Sequence, residues 1–206
     1  SLLFIVFVAY LLFEMATTIE ERLAQVKARN TWSPSEVLPR LYLGNGNDAK
    51  NKEKLKEEGF THIINVANDV ENFFPNEFHY LNLDVGDFGT DKGISRVFKK
   101  TFNYLEENWK HDDSSKILLH CAAGMNRSAT LYIAVVMYFK KMNLKDAYEL
   151  VRSKRKIIPI KDNREELVQY ELEMFGSNSM SVDDFTNRLK RDHHLLQNNL
   201  VEGTSK

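Results

Sequence analysis

One junction limits the fold of this chain more than any other. Lys116-Ile-Leu-Leu-His120 reads as a buried strand, and Ser128 to Lys141 reads as a helix, with the small-residue loop Cys121-Ala-Ala-Gly-Met-Asn-Arg127 between them. Leu131 to Phe139 is apolar on every side, which marks a helix buried in a protein core. A buried strand that turns directly into a buried helix requires layers on both sides. We therefore expect an α/β domain with a central mixed sheet of about five strands flanked by helices, the loop lying at the carboxyl end of a central strand.

The loop also has a chemistry. Successive N–H groups from Ala122, Ala123, Gly124, Met125, Asn126 and Arg127 are able to form an anion-binding nest, and the following helix adds partial positive charge at its N-terminus. Gly124 permits a tight turn, and the two alanines leave room for a ligand. Arg127 supplies a planar fork suited to two phosphate oxygens. The same field favours the thiolate of Cys121, which is a nucleophile at phosphorus. The plainer reading is a structural cysteine at a strand end, the common fate of a lone buried thiol. The neighbours favour the chemical one.

His120-Cys121, five residues, Arg127 and Ser128 resemble the signature of cysteine-dependent protein phosphatases, and Ala123 to Thr130 is most similar to the dual-specificity branch. The resemblance covers Ser35 to Phe175. Leu38 to Gly44 resembles the family's opening strand and Gly59 to Val66 its next helix-to-strand passage, while Ala147 to Arg155 and Pro159 resemble the helix and turn that support the loop. These stretches are packing signatures and add no catalytic groups.

The resemblance implies phosphomonoester hydrolysis through a phosphocysteine on Cys121. A phosphorylated alcohol leaves poorly until its bridging oxygen is protonated, so a general acid is needed. Counting from Tyr80, Asp87 falls on the family's position, whereas Asp84 lies within the strand His79 to Val85; Asp87 is the favoured candidate. Gly86 and Gly89 flank it and suit a mobile loop. By the same resemblance Ser128 hydrogen-bonds the departing thiolate, and His120 orients the loop from behind. No cofactor or metal is expected, because no His, Cys and carboxylate cluster appears at ligand spacing.

Phosphotyrosine and phosphoserine or phosphothreonine in proteins are the first-choice substrates. Two departures from the family pattern matter. Asn126 stands where most dual-specificity enzymes carry Ser, a pattern shared with RNA 5′-phosphatases, which makes RNA the alternative substrate. Ile160 and Asn163 replace the usual Asn and aromatic after Pro159, which leaves support of the loop from that side open. A phosphate-binding scaffold without turnover is a third reading, and phosphoinositides are disfavoured because neither Ala123 nor Met125 is basic.

With 206 residues, 43% of them hydrophobic, the chain has enough for one core plus extensions. A net charge of −1 argues against coating nucleic acid. A single cysteine excludes an internal disulfide framework and points to a reducing compartment, cytoplasmic or nuclear. We divide the chain into an N-terminal extension (1–34), a catalytic domain (35–175), and a linker with a C-terminal amphipathic helix (176–206). Residues 1–13 carry no charge and are too short to span a bilayer as they stand. They read as a truncated anchor, a signal-peptide core, or sequence upstream of a start at Met15; the last is preferred, and membrane association is expected only if they belong to an anchor. A capping box at Thr18 to Glu21 predicts a short helix over 18–30, the charged face from Asp48 to Gly59 reads as a solvated helix with Leu55 turned inward, and Val182, Phe185, Leu189, Leu196 and Leu200 mark the C-terminal amphipathic helix.

Overall fold

The computed structural model describes residues 31–87, 93–111 and 113–186. The chain divides into two compact units, Ser1–Ser33 and Pro34–Lys206, and every element below lies in the second. The expectations for residues 1–13, for the helix over 18–30, for Gly89, and for Leu189, Leu196 and Leu200 lie outside the described residues.

Five strands form one sheet in the order β1-β2-β5-β3-β4. β1 (Ser35–Leu38) and β2 (Leu41–Gly44) are antiparallel, and the remaining pairs are parallel. β3 (His62–Ala67) and β5 (Ile117–His120) are buried at every residue, as strands covered on both faces must be. β4 (His79–Val85) is at the edge and alternates between buried and exposed. Gly44 and Asn65 both pair with His120, so β5 delivers Cys121 between β2 and β3 at the carboxyl rim of the sheet.

Behind the sheet runs α4 (Arg127–Lys140), buried from Arg127 to Met137 and in contact with β2, β3 and β5. Its Tyr132 hydroxyl receives the Leu38 N–H at 3.0 Å and donates to Leu41 O at 2.6 Å, tying helix to hairpin. Ile94–Val97 form a 3₁₀ turn that leads into α3 (Phe98–Leu105), followed by a π-helical turn, Glu106–Lys110. Val97, Phe98, Phe102 and Leu105 are all buried, with Phe102 stacked on Tyr138 of α4 at 4.3 Å. Two more helices, α5 (Leu144–Lys154) and α6 (Lys161–Phe175), complete that layer. Among the described residues no helix is long and apolar enough to cross a membrane.

Three local readings change. Leu38 to Gly44 is not one strand: Pro39 cannot donate to a ladder and Arg40 takes φ 63°, so the chain folds into a hairpin there. The charged stretch from Asp48 to Gly59 is not one solvated helix. It is α1 (Gly46–Lys50) and α2 (Lys52–Glu57), broken at Asn51, whose side chain caps the second by accepting from Lys54 N–H; Asp48 is fully buried, and Leu55 faces inward as expected. Gly176 to Ser181 does not hang free as a linker. Glu171 accepts from both the N–H and the hydroxyl of Ser179, Met180 is buried, and in the helical turn at 182–186 Phe185 packs edge-on against Tyr148 at 4.7 Å.

Candidate active site

The loop from Cys121 to Asn126 is held by its carbonyls. Ala122 O accepts from Gly46 N–H at 3.0 Å, Gly124 O from Arg155 Nε at 3.0 Å, and Met125 O from Ile158 N–H at 2.8 Å. With three carbonyls drawn to the rear by α1, α5 and the segment before α6, the peptide N–H groups turn toward the inner side. That is the arrangement an anion-binding nest requires. Gly124 makes the turn possible: its φ is 68°, and a Cβ there would lie 2.5 Å from Gly44 O and 2.7 Å from Arg155 Nη2.

At the foot of the loop Cys121 is 2% exposed. Its Sγ accepts from Gly124 N–H at 3.3 Å and lies 3.1 Å from Ser128 Oγ. A thiolate at this position has two donors and begins beside the N-terminus of α4. Arg127 is the first residue of α4 and 1% exposed. One end of its guanidinium is occupied: Nη1 donates to Asp69 Oδ1 at 2.6 Å and to Val85 O at 3.1 Å. The other edge faces the site. Nη2 stands 3.3 Å from Asp87 Oδ2, and Nε, buried, has no hydrogen-bond partner among the described residues. A buried, unpaired donor is costly, so the Nε and Nη2 edge is where an oxyanion is stabilised most. Burial works against the charge of Arg127, but Asp69, Cys121 and Asp87 together more than offset it and raise its pKa. In return, the hydrogen bond from Arg127 holds the Asp69 carboxyl below its ordinary range.

Asp87 is brought to the site and Asp84 is not. Asp84 is exposed within β4, at a bulge, with φ 55°. Asp87 accepts from Asn126 Nδ2 at 2.8 Å and faces Arg127. Asn126 is thus engaged as part of the protein's own network, its Oδ1 accepting from Ile160 N–H and from Asn163 Nδ2, both at 2.9 Å. Support from beyond Pro159, left open by the sequence, is supplied by Ile160 and Asn163 themselves. His120 is fully buried, and neither ring nitrogen meets a partner at hydrogen-bonding geometry among the described residues. Burial pushes its pKa down to about 4, with the Cys121 backbone pulling weakly the other way. It sits behind the loop as a buried ring whose neutral form burial favours.

Sequence reasoning missed two groups. Asp69 lies 58 positions from Arg127 in a polar loop after β3, where nothing periodic singles it out. Arg155 ends the stretch whose resemblance implied support of the loop, but no contact of its own was assigned to it; burial lowers its pKa against the pull of Asp48 and Cys121. Among the described residues no group of three or more His, Cys, Asp or Glu is placed to hold a metal ion. A groove of about 480 Å³ between Phe98, Phe102, Tyr138 and Tyr170 is lined by none of the loop residues and brings no nucleophile.

This geometry can be set beside known proteins. A family model described as the dual specificity phosphatase catalytic domain matches residues 41–173. The MAP kinase phosphatase with leucine-rich repeats protein 3 of Dictyostelium discoideum is 36% identical over 150 residues, 72% of this chain. Mouse dual specificity protein phosphatase 18 is 34% identical over 151 residues, which cover 73% of this chain and 79% of that protein. The chain spans only 17% of the Dictyostelium relative and 32% of human dual specificity protein phosphatase 9. Among solved structures, the human tyrosine phosphatase-like serine/threonine/tyrosine-interacting protein has a TM-score of 0.62 at 31% identity, over 69% of this chain and 98% of its own. A mouse putative dual specificity phosphatase complexed with zinc tungstate has a TM-score of 0.64 at 24% identity, over 71% and 91%, and bears on the fold alone. With the family model running from β2 through the Cys121 loop into α6, over more than half of the chain, this chain belongs to the dual-specificity phosphatase family.

Proposed function

We propose that this chain hydrolyses phosphomonoesters through a phosphocysteine on Cys121, acting on phosphotyrosine and on phosphoserine or phosphothreonine in proteins. The observation that carries the reading is Arg127 Nε, buried and without a hydrogen-bond partner among the described residues, beside a loop whose carbonyls are tied back and whose cysteine has two donors within reach. The dianion sits in the nest with two oxygens on Nε and Nη2, and its arrival displaces Asp87 from Arg127. The Cys121 thiolate attacks phosphorus while Asp87 gives its proton to the leaving oxygen. Water then attacks the phosphocysteine, its proton passes to Asp87, and the sulfur recovers its electron pair with Ser128 donating to it.

Protein substrates are supported by the names of the relatives. Asn126, the residue that suggested RNA, has its amide committed to Asp87, Ile160 and Asn163, so it gives that alternative no support. A cytoplasmic or nuclear setting fits a chain whose one thiol must stay reduced to react. Turnover of an aryl phosphate, of phosphotyrosine and phosphothreonine peptides, of RNA 5′-triphosphate and of phosphoinositides tests the reading. Peptides should be hydrolysed and Cys121→Ser should abolish the activity while leaving phosphate binding. Binding without turnover in the wild type would make the chain a scaffold, and preference for RNA would move it to the alternative.

A further inference from the structure

Asn126 occupies a position that the chemistry of Cys121 and Arg127 does not require, yet every polar atom of its side chain with a partner points to a different element. Its orientation is fixed by elimination. Ile160 N–H is a backbone donor, so the atom facing it at 2.9 Å must be the carbonyl oxygen, and that oxygen also receives Asn163 Nδ2 at 2.9 Å. Both lone pairs of Oδ1 are then used. The amide cannot flip, and its NH₂ group is aimed at Asp87 Oδ1, 2.8 Å away. Asn163 is 8% exposed and lies in the first turn of α6, so the anchor is itself packed.

We propose that Asn126 is the positioning residue of the general acid and selects which oxygen of Asp87 carries the transferable proton. This deepens the hydrolytic reading above and rests on it. A proton on Oδ1 would face the N–H of Asn126, donor against donor, whereas Oδ1 without a proton accepts it. Oδ2 stands 3.3 Å from Arg127 Nη2, and once the dianion has taken that donor Oδ2 faces no other N–H of this pair, so the acid form of Asp87 is held with its proton on Oδ2. As the sulfur–phosphorus bond forms and the phosphorus–oxygen bond breaks, the electron pair of that bond stays on the leaving oxygen, which takes the proton from Oδ2. In the second step the same oxygen faces the attacking water and accepts its proton. Asn126 keeps its bond to Oδ1 throughout, so neither step requires the carboxyl to turn.

The test separates positioning of the acid from damage to the loop by varying the leaving group. Asn126→Ala and Asn163→Ala are compared with wild type on an alkyl phosphate and on an activated aryl phosphate, with melting temperature measured for each. Asn126→Ala should lower kcat on the alkyl phosphate by about tenfold to 10²-fold, part of what a positioned acid contributes, and the loss on the aryl phosphate should be several-fold smaller. KM should change less than kcat, and Asn163→Ala should show the same pattern with a smaller amplitude. Equal losses on both substrates in either folded variant, or no loss on the alkyl phosphate, would overturn the proposal. Wild-type turnover of the aryl phosphate tests the function itself: without it the hydrolytic reading fails, and with it only the role of Asn126 is at stake.

Discussion

The phosphate loop and the segment that carries Asp87 are held in opposite ways. The loop is fastened through its main chain from three separate elements, and a single side-chain change at any one of those ties leaves the others. Asp87 lies at the end of a strand on the sheet's edge and is held to the site through its side chain, by Asn126 and by Arg127. A nest must be rigid because its donors cost no reorganisation only if they are already aimed. An acid that serves two steps, and yields its contact with Arg127 to the substrate, is better held through a side chain that can exchange partners. The loop should therefore respond to substitution through loss of binding and rate on every substrate, and the acid segment through loss that depends on the leaving group.

Asp87→Asn should show the largest effect of this kind. Hydrolysis of an alkyl phosphate should slow by about 10²- to 10⁴-fold, and that of an activated aryl phosphate by much less. Asp84→Asn should leave both unchanged, since its carboxyl is exposed on β4; the reverse result would exchange the two aspartates. Arg127→Lys tests the loop side. A point charge cannot reproduce the Nε and Nη2 edge, so kcat/KM should fall by about 10²- to 10³-fold on both substrates alike. Loss confined to the alkyl phosphate would mean that Arg127 serves the acid and not the nest.

A smaller effect is expected from Asp69→Ala, which frees the rear of the Arg127 fork while Val85 O still holds it. Loss of kcat on the order of tenfold on both substrates is expected, short of the ~10²-fold that outright misplacement costs. Unchanged kcat would show that Val85 O suffices to aim the guanidinium.

His120 should leave its mark on stability. Its pKa is about 4 in the fold and about 6.5 when unfolded, so between those values the unfolded chain binds more protons. The neutral ring's contribution is present above pH 6.5 and is lost as pH falls toward 4. Unfolding by urea should show wild type losing about 2 kcal/mol more than His120→Asn between pH 7 and pH 5. Parallel losses in the two proteins would mean that the ring is accessible to protons in the fold.

Much of this was legible because the nucleophile, the nest and the arginine are contiguous, and a strand, a glycine turn and a helix N-terminus leave few other uses for that order of residues. Asp87 was legible through the family resemblance, by its place relative to Tyr80. Asp69 was not, since its role depends on two strand ends meeting at the rim and on a partner far along the chain. The break at Asn51 had a local signal, an Asn three residues before the Lys54 N–H it caps, and the charged residues around it obscured that signal. Buried Asp48 looked solvated for the same reason: charge alone does not say which side chains turn inward. Ser179 and Met180 lie in a stretch whose composition suits a linker, and it becomes a docked turn through partners remote in sequence, the carboxylate of Glu171 among them.

The central claim is that Cys121 becomes phosphorylated during turnover. Asp87→Asn should slow the second step as well as the first, so mixing that variant with an activated aryl phosphate, denaturing within the first turnover and mapping the modified peptide by mass spectrometry is the direct measurement. The account predicts one phosphoryl group per chain on the peptide containing Cys121, formed with a burst of the aryl alcohol and absent in the Cys121→Ser, Asp87→Asn double variant. Turnover by the wild type with no phosphoryl group on Cys121 in this experiment, or with the label on another residue, would contradict it.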